Sequence, residues 1–127
     1  MGNKSVLAAN AEAAAMGKLM DGGRLEIHEG TMLGVSEPVV SKCLAVFEFG
    51  TPAFSQPKGG MISSRPLGSA KNCKEGKPCY WRIATSAGST ILQDAIGSGF
   101  NLDVNFIPEG SEIEVDGQFV YQVPLTY

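Results

Sequence analysis

The stretch MDGGRLEIH, residues 20–28, marks the position at which the hydrophobic periodicity of the chain changes. Before it, apolar residues recur every three or four positions, as they do on one face of a helix. After it, Leu25 and Ile27 alternate with charged or polar neighbours, as they do in a β-strand. The two glycines between these patterns, Gly22 and Gly23, suit the end of a helix. The stretch therefore predicts one N-terminal helix followed by a β domain.

The N-terminal helix is predicted over the alanine-rich residues 5–20, with Asn3 or Ser5 as its N-cap. Its apolar positions follow a 3-4-3-4 spacing and share one face. A helix of about four turns is marginally stable alone, so this face must pack against the sheet or against a neighbouring chain. We predict that the residues of this face contact a partner: Val6, Ala9, Ala13, Met16 and Met20.

Beyond residue 23 the sequence consists of short alternating runs separated by turns that contain Gly and Pro. Such a pattern is typical of antiparallel β-sandwiches and jelly rolls. The predicted fold class is therefore mainly β: a jelly-roll-like antiparallel sandwich of about eight strands with one N-terminal α-helix. The helix and its cap occupy residues 1–23 and the sandwich residues 24–127, and together they form one folded unit. The predicted strands begin near Arg24, Cys43, Met61, Tyr80, Ile91, Phe100, Glu112 and Gln118.

Two parts of the sequence give the clearest strand patterns. Residues 112–115 and 118–123 flank Asp116-Gly117, and an Asp-Gly pair between alternating runs predicts a two-residue β-hairpin. Residues 100–106 alternate strictly between apolar and polar side chains, which predicts a half-buried strand. The predicted inward-facing residues of the domain are Leu25, Ile27, Phe47, Phe49, Trp81, Ile83, Phe100, Leu102, Val104, Phe106, Phe119 and Tyr121.

The 127 residues carry a net charge of −3, but the charges are unevenly distributed. Residues 58–82 hold six Lys or Arg and one Glu, whereas residues 83–127 hold six Asp or Glu and no Lys or Arg. These segments form either two solvated surfaces of opposite sign or a head-to-tail contact between copies. The basic segment includes a predicted surface loop over residues 65–79. We predict that the lysines of this loop contact a partner: Lys71, Lys74 and Lys77.

The composition argues against two classes of partner. A net negative charge predicts no nucleic-acid partner. No apolar run approaches the roughly 18 residues of a membrane span. The N-terminal residues also lack the apolar core of a secretory signal. We therefore expect binding neither to nucleic acid nor to a membrane.

Few residues point to chemistry. The single histidine, His28, has no second histidine for a metal site and no nucleophile motif beside it, so an exposed or capping role is expected. Cys73 and Cys79 form a C-x5-C pair, which is not the spacing of a zinc knuckle. Free thiols are expected, with a disulfide between these two residues as the alternative. Cys43 lies in an apolar run and is predicted to be core. The sequence thus predicts no catalytic residue, no cofactor and no metal, and a protein that is not an enzyme.

Several segments together resemble one protein family. The alanine-rich helix leads into RLEIHEG at 24–30, and the later segments are LAVFEFGTPAF at 44–54, GGMI at 59–62, YWRI at 80–83, LQDAIG at 92–97 and FNLD at 100–103. In this order they resemble small structural proteins encoded in tailed-phage gene clusters, of the capsid cement or head decoration type. The resemblance covers most of residues 6–115, and none of its motifs is catalytic. The lysine- and cysteine-bearing residues 65–79 depart from the Thr/Ala/Ser-rich middle of that family.

The resemblance implies a β-sandwich that binds the capsid lattice and stabilises the head shell. It implies the major capsid protein, other copies of the chain, or both as partners. It also implies a homo-oligomer located on the virion, after assembly in the host cytoplasm. Two other assignments stay open: a small tail or baseplate component, and a ligand-binding sandwich such as a carbohydrate module, which would need exposed aromatic side chains.

Overall fold

The computed structural model describes residues 4–98, 100–115 and 117–124. Within these residues the chain forms one α-helix and eight β-strands that all pair antiparallel, which confirms a mainly β fold with an N-terminal helix. The elements in chain order are α1 (Val6–Met20), β1 (Arg24–Glu29), β2 (Lys42–Glu48), β3 (Met61–Ser63), β4 (Gly68–Ala70), β5 (Tyr80–Ala84), β6 (Thr90–Ala95), β7 (Ile113–Val115) and β8 (Val120–Gln122).

Helix α1 begins and ends where the sequence predicts. Ser5 is the N-cap, and its hydroxyl oxygen accepts a 3.0 Å hydrogen bond from the backbone N–H of Ala8. Beyond the last turn, Gly22 has a φ of +69°, a left-handed conformation that favours glycine, and the chain turns into β1. The buried residues of α1 lie on one face: Ala9, Ala13, Gly17 and Met20.

A four-stranded antiparallel sheet with the strand order β2-β1-β5-β6 is the centre of the fold. Its register places Leu25 opposite Phe47 and Ile83, and Ile27 opposite Trp81. All five side chains are buried in a single hydrophobic core, to which α1 also contributes. The sequence predicted each of them to face inward, so the register of these strands is confirmed.

The other four strands form a ribbon in two parts, in which β3 pairs with β8 and β4 pairs with β7. Between the parts, the N–H of Ser64 donates to the carbonyl of Phe119 at 2.8 Å, and that of Leu67 donates to Gly117 at 3.0 Å. Residues 61–70 and 113–122 therefore run antiparallel along most of their length.

The predicted hairpin is wrong. Residues 112–115 and 118–123 do not fold back on each other but follow one another along one side of the ribbon. Pairing with residues 61–70 gives both runs a strand partner and also buries Phe119 in the core. Of the two predicted turn residues, Asp116 lies outside the described residues.

The predicted strand over residues 100–106 is also wrong. In this segment Phe100 is buried, but Val104 and Phe106 are exposed, and the structure assigns it no strand. Only Ile107, one residue beyond it, forms an isolated bridge, to Gly76. An alternating pattern produces a strand only where a neighbouring strand supplies hydrogen bonds, and these residues have no such neighbour in the described part of the chain.

Residues 65–79 differ from the predicted surface loop in two respects. The segment contains β4, and it buries three side chains in the core: Leu67, Ala70 and Cys73. Its lysines remain exposed.

Gly23 is required where α1 meets β1. A Cβ at this position would lie 2.2 Å from the carbonyl oxygen of Ala84 and 3.1 Å from that of Met20. Because both atoms are backbone atoms in the core, we expect Gly23→Ala to lower the free energy of unfolding by about 3 kcal/mol. Gly50→Ala is the matched control, since its nearest atom would be Arg65 Nη1 at 3.7 Å. Urea denaturation of both variants tests this; equal midpoints would contradict it.

Candidate functional site

The predicted partner-contact face of α1 is divided between the interior and the surface. Ala9, Ala13 and Met20 are fully buried, because they pack into the chain's own core. Met16 is half-buried against that core, and Val6 is 53% exposed. The small-residue positions of α1 thus serve packing within the chain, and Val6 and Met16 alone among the five predicted residues retain accessible surface.

The predicted contact lysines, Lys71, Lys74 and Lys77, are all exposed. Lys74 Nζ lies 3.7 Å from Glu109 Oε2, and Glu109 also accepts a 3.1 Å hydrogen bond from the backbone N–H of Glu75. That hydrogen bond, with help from Lys74, lowers the pKa of Glu109. The basic and the acidic segments of the sequence therefore meet within one chain at this point.

A group of polar side chains lies on the face of the four-stranded sheet opposite the hydrophobic core. Glu26 on β1 is opposite Arg82 on β5, and His28 on β1 is opposite Tyr80. All four are 6% exposed or less. We call the following residues the polar cluster: Arg24, Glu26, His28, Ser41, Tyr80 and Arg82.

The expected exposed or capping role of His28 is wrong, since its side chain is 2% exposed. The loop between β1 and β2, residues 30–41, passes next to it, and Ser41 at the end of this loop contacts the imidazole. The loop covers this face of the sheet and so buries Glu26 and His28, which the sequence pattern placed towards solvent.

Glu26 is the centre of the hydrogen-bond network in the polar cluster. Its Oε1 accepts from Arg82 Nη1 and from His28 Nε2, each at 2.7 Å, and its Oε2 accepts from Arg24 Nε. An ionised carboxylate only accepts hydrogen bonds, so the Nε2 of His28 carries a proton.

The network continues outward from Glu26 on two sides. The Nδ1 of His28 lies 2.9 Å from Ser41 Oγ, which also bonds to the Tyr80 hydroxyl, and the imidazole stacks on the Tyr80 ring. On the other side, the guanidinium of Arg82 donates through Nε to Thr90 Oγ1 at 2.6 Å and through Nη2 to the carbonyl of Gly88. In the described part of the chain, no buried side-chain nitrogen or oxygen lacks a partner.

The electrostatics of Glu26 follow from these contacts. Burial by itself would raise its pKa, but the hydrogen bonds from His28, Arg24 and Arg82 outweigh burial and lower the pKa from 4.5 to about 2. The carboxyl group is therefore harder to protonate in the folded chain than in the unfolded chain. A shift of this size corresponds to about 3 kcal/mol of stability that is present above pH 4.5 and is lost as the pH falls towards 2.

This shift predicts a pH-dependent cost of Glu26→Gln. We expect the variant to be less stable than wild type by about 3 kcal/mol at neutral pH. The difference should shrink to about 1 kcal/mol near pH 2, because there about half of the wild-type carboxyl groups are protonated and most of the stabilisation by the ionised form is lost. Urea denaturation of both proteins at several pH values between 7 and 2 measures it. A difference that is independent of pH would contradict the assignment.

The ligand atoms of Glu26, His28 and Cys43 lie within 4.8 Å of one another, a spacing that a metal ion could bridge. Two features of the cluster oppose a cation there. Arg24 and Arg82 already place two positive charges on the carboxylate. Burial, with the nearby carboxylate of Glu26, raises the pKa of the Cys43 thiol to about 11, so it is protonated at neutral pH and is a poor ligand.

Ser41, His28 and Glu26 are also joined in the order of a hydrolase triad. In such a triad the carboxylate orients the imidazole and stabilises its charged form. Here the carboxylate is shared with two guanidinium groups, and the imidazole is buried. The geometry therefore supports a structural role: it ties the β1–β2 loop to the sheet.

The cysteines are free thiols in this structure. Cys73 is buried, and its Sγ donates to the carbonyl of Ala70 at 3.4 Å; the Sγ of Cys79 donates to that of Lys77 at 3.3 Å. Burial raises the pKa of Cys73. Cys43, predicted as core, is half-buried beside the polar cluster.

The β1–β2 loop exposes apolar side chains on its outer surface. A hydrogen bond from Gln93 Nε2 to the carbonyl of Leu33 and the bond between Ser41 and His28 attach the loop to the sheet. Single exposed apolar residues are ordinary on a protein surface, but several of them in one loop are unusual. Five side chains within residues 31–40 are 39% to 79% exposed: Met32, Leu33, Val35, Val39 and Val40.

Neither the buried polar cluster nor the apolar loop was predicted from the sequence, for identifiable reasons. Alternating charges such as Glu26 and His28 are typical of a solvent-facing strand row, and nothing local shows that a loop covers them. The sequence TMLGVSEPVV, residues 31–40, has no regular period, but its five large apolar residues and single charge are the signal that could have identified the loop.

Comparison with known protein families, with curated proteins and with solved structures finds no significant match to this chain. Among the described residues, no helix has the length and apolar character needed to cross a membrane.

Proposed function

We propose that this chain is a non-enzymatic structural protein of a tailed-phage virion, assembled in the host cytoplasm, and that it acts as a capsid cement protein that stabilises the head shell. The observation that carries the proposal is the β1–β2 loop, whose five exposed apolar side chains suit contact with another protein surface. The resemblance of the helix and strand segments to phage decoration proteins supports the head shell as that surface. The partners are the major capsid protein, other copies of the chain, or both.

The polar cluster supports this role because it holds the base of the loop. Ser41 at one end of the loop is bonded to His28 and Tyr80, and the Leu33 carbonyl near the other end is bonded to Gln93. A loop that is held in one conformation before binding loses less conformational entropy when it binds. The hydrogen bonds of the polar cluster thus hold the β1–β2 loop in one conformation.

The sandwich topology is part of the same proposal. Its support is a series of ring contacts that connect the four-stranded sheet with the ribbon: Phe49 with Phe54, Phe54 with Phe119, and Phe119 with Trp81, at centroid distances of 5.5, 6.3 and 5.4 Å. Such contacts are what two sheets packed face to face would share.

The test is occupancy on heads and on tails purified from the phage that carries the gene. Wild-type protein should saturate heads, and Val35→Ser/Val40→Ser should reduce its affinity at least tenfold, because both side chains are more than half exposed in the loop. Lys71→Glu/Lys74→Glu/Lys77→Glu should reduce affinity severalfold at low salt and less at high salt. Exposed charge pairs contribute about 0–1 kcal/mol each and are screened by salt.

Lys18→Glu/Lys58→Glu controls for most of the change in net charge, −4 against −6 in the triple variant, since both lysines are exposed and lie outside the proposed surfaces. Deletion of α1 is unsuitable as a test, because α1 supplies buried core residues. Full occupancy of both the valine and the lysine variants would remove these surfaces from the proposal. Binding to tails alone would favour a tail or baseplate component. Binding to neither particle, with saturable binding to a glycan, would favour a carbohydrate-binding module.

A further inference from the structure

Strand β6 is an edge of the four-stranded sheet, and no described strand lies beyond it. In an antiparallel ladder, successive residues point their backbone N–H and C=O alternately towards and away from the neighbouring strand. The N–H of Ile96 donates to the carbonyl of Cys79 on the β5 side, and β6 is paired so that Gln93 is opposite Arg82. The alternation then turns the backbone groups of Gln93 outward, away from β5.

The backbone N–H and C=O groups of β6 that point outward differ in whether they have hydrogen-bond partners. The N–H of Ala95 donates to Asp94 Oδ1 at 2.8 Å, and the carbonyl of Ala95 accepts from the N–H of Ser98 at 3.0 Å. The backbone of Gln93 has no comparable partner among the described residues. Natural edge strands are commonly protected by Lys or Pro, and residues 90–95, TILQDA, contain neither. The single charge of β6, Asp94, is engaged with Ser98 Oγ at 2.9 Å.

We infer that two copies of this chain pair through β6, antiparallel across a two-fold axis that passes near Gln93. The pairing is self-complementary, because each Gln93 would donate its outward N–H to the carbonyl of the other and accept in return. The two four-stranded sheets would then form one continuous sheet of eight strands. The inference rests on the part of the proposed function that names other copies as partners, and it assigns that contact to a particular surface.

The β1–β2 loop supplies the area that an edge contact alone lacks. A stable interface buries about 800 Å² on each partner, which is more than one short strand pair provides. The Leu33 carbonyl is bonded to the Gln93 side chain, so the exposed apolar part of the loop is continuous with the β6 edge. A two-fold axis perpendicular to the sheet would bring both loops together on the same face. Their exposed Leu33 side chains, at 39%, would be among the groups removed from water.

The experiment is sedimentation equilibrium of the full chain across a hundredfold range of concentration, with Gln93→Pro and Gln93→Ala. Both variants lose the side-chain hydrogen bond to the Leu33 carbonyl, but only proline also removes the backbone N–H, which points away from β5. Proline is tolerated on edge strands. We expect wild type to dimerise, Gln93→Pro to weaken dimerisation at least tenfold, and Gln93→Ala, which keeps the N–H, to change it less than threefold. Circular dichroism checks that each variant is folded. Ala95→Lys, which places a charge at an exposed position of the same edge strand, provides a second disruption should the proline variant unfold.

A wild type that stays monomeric, or a dimer that neither Gln93→Pro nor Ala95→Lys weakens, would overturn the inference. The outcome is separate from that of the head-binding test. Dimers that depend on the β6 edge but bind neither heads nor tails would leave this inference standing and contradict the proposed function. Monomers that nevertheless bind heads would contradict this inference and support the proposed function.

Discussion

Arg82→Met is expected to lower the free energy of unfolding by about 3–5 kcal/mol, because it leaves the buried carboxylate of Glu26 without its main counter-charge. Arg82 is 6% exposed and hydrogen-bonds to Glu26, Thr90 and Gly88. Methionine has a similar volume and keeps the packing of the side-chain stem, so the loss reports on charge and hydrogen bonds. Urea denaturation at neutral pH measures the effect.

Two variants separate the charge of Arg82 from its other contacts. Thr90→Val removes a single hydrogen-bond acceptor with nearly the same shape and should cost only about 1 kcal/mol. Glu26→Gln/Arg82→Met removes both charges, and it should cost less than the sum of the two single variants, because neither partner is then left as an isolated buried charge. Strict additivity in this cycle would show that Glu26 and Arg82 do not act as a pair.

Phe47→Ala is expected to lower the free energy of unfolding by about 3–5 kcal/mol, through lost burial of the ring and the cavity left behind. Phe47 has no accessible surface; it lies on the edge strand β2, opposite Leu25 of β1, and points into the core. The matched control is the preceding residue of the same strand, Val46, which is 38% exposed on the opposite face. Val46→Ala should cost less than about 1 kcal/mol.

Comparison of Phe47→Ala with Val46→Ala tests which face of β2 points towards the core. Thermal unfolding followed by circular dichroism measures the loss of stability of each variant relative to wild type. Equal losses at the two positions would mean that the faces of β2 are assigned incorrectly, and the burial of the polar cluster opposite the core would then have to be reconsidered as well.

The helix and the four-stranded sheet could be predicted from the sequence to a much greater extent than the ribbon. Helix α1 and the strands β1, β2 and β5 could be predicted because their signals are local: the Ser5 cap, Gly22 at the helix end, and an apolar residue at every second position. The core positions on these strands follow from that periodicity alone.

The partners of strands 113–122 were decided only by the tertiary structure. An alternating pattern states which side chains face the core, but it does not name the strand that supplies the hydrogen bonds. The Asp-Gly signal favoured pairing within residues 112–123, and the pairing with residues 61–70 prevailed because it also joins the ribbon to the core through Phe119 and Ile62. For residues 100–106 the same pattern found no partner strand in the described chain.

The polar cluster and the apolar loop show the same limit at the surface. Local sequence placed Glu26 and His28 on a solvent-facing row and gave residues 31–40 no regular structure. Whether a row faces water depends on what lies over it. Here it is a loop that Ser41 attaches to His28 and Tyr80, and that the Leu33 carbonyl attaches to Gln93. Alternation in the sequence therefore determined the two faces of the sheet, whereas contacts between distant residues decided which face was covered, since burial is a property of the assembled chain.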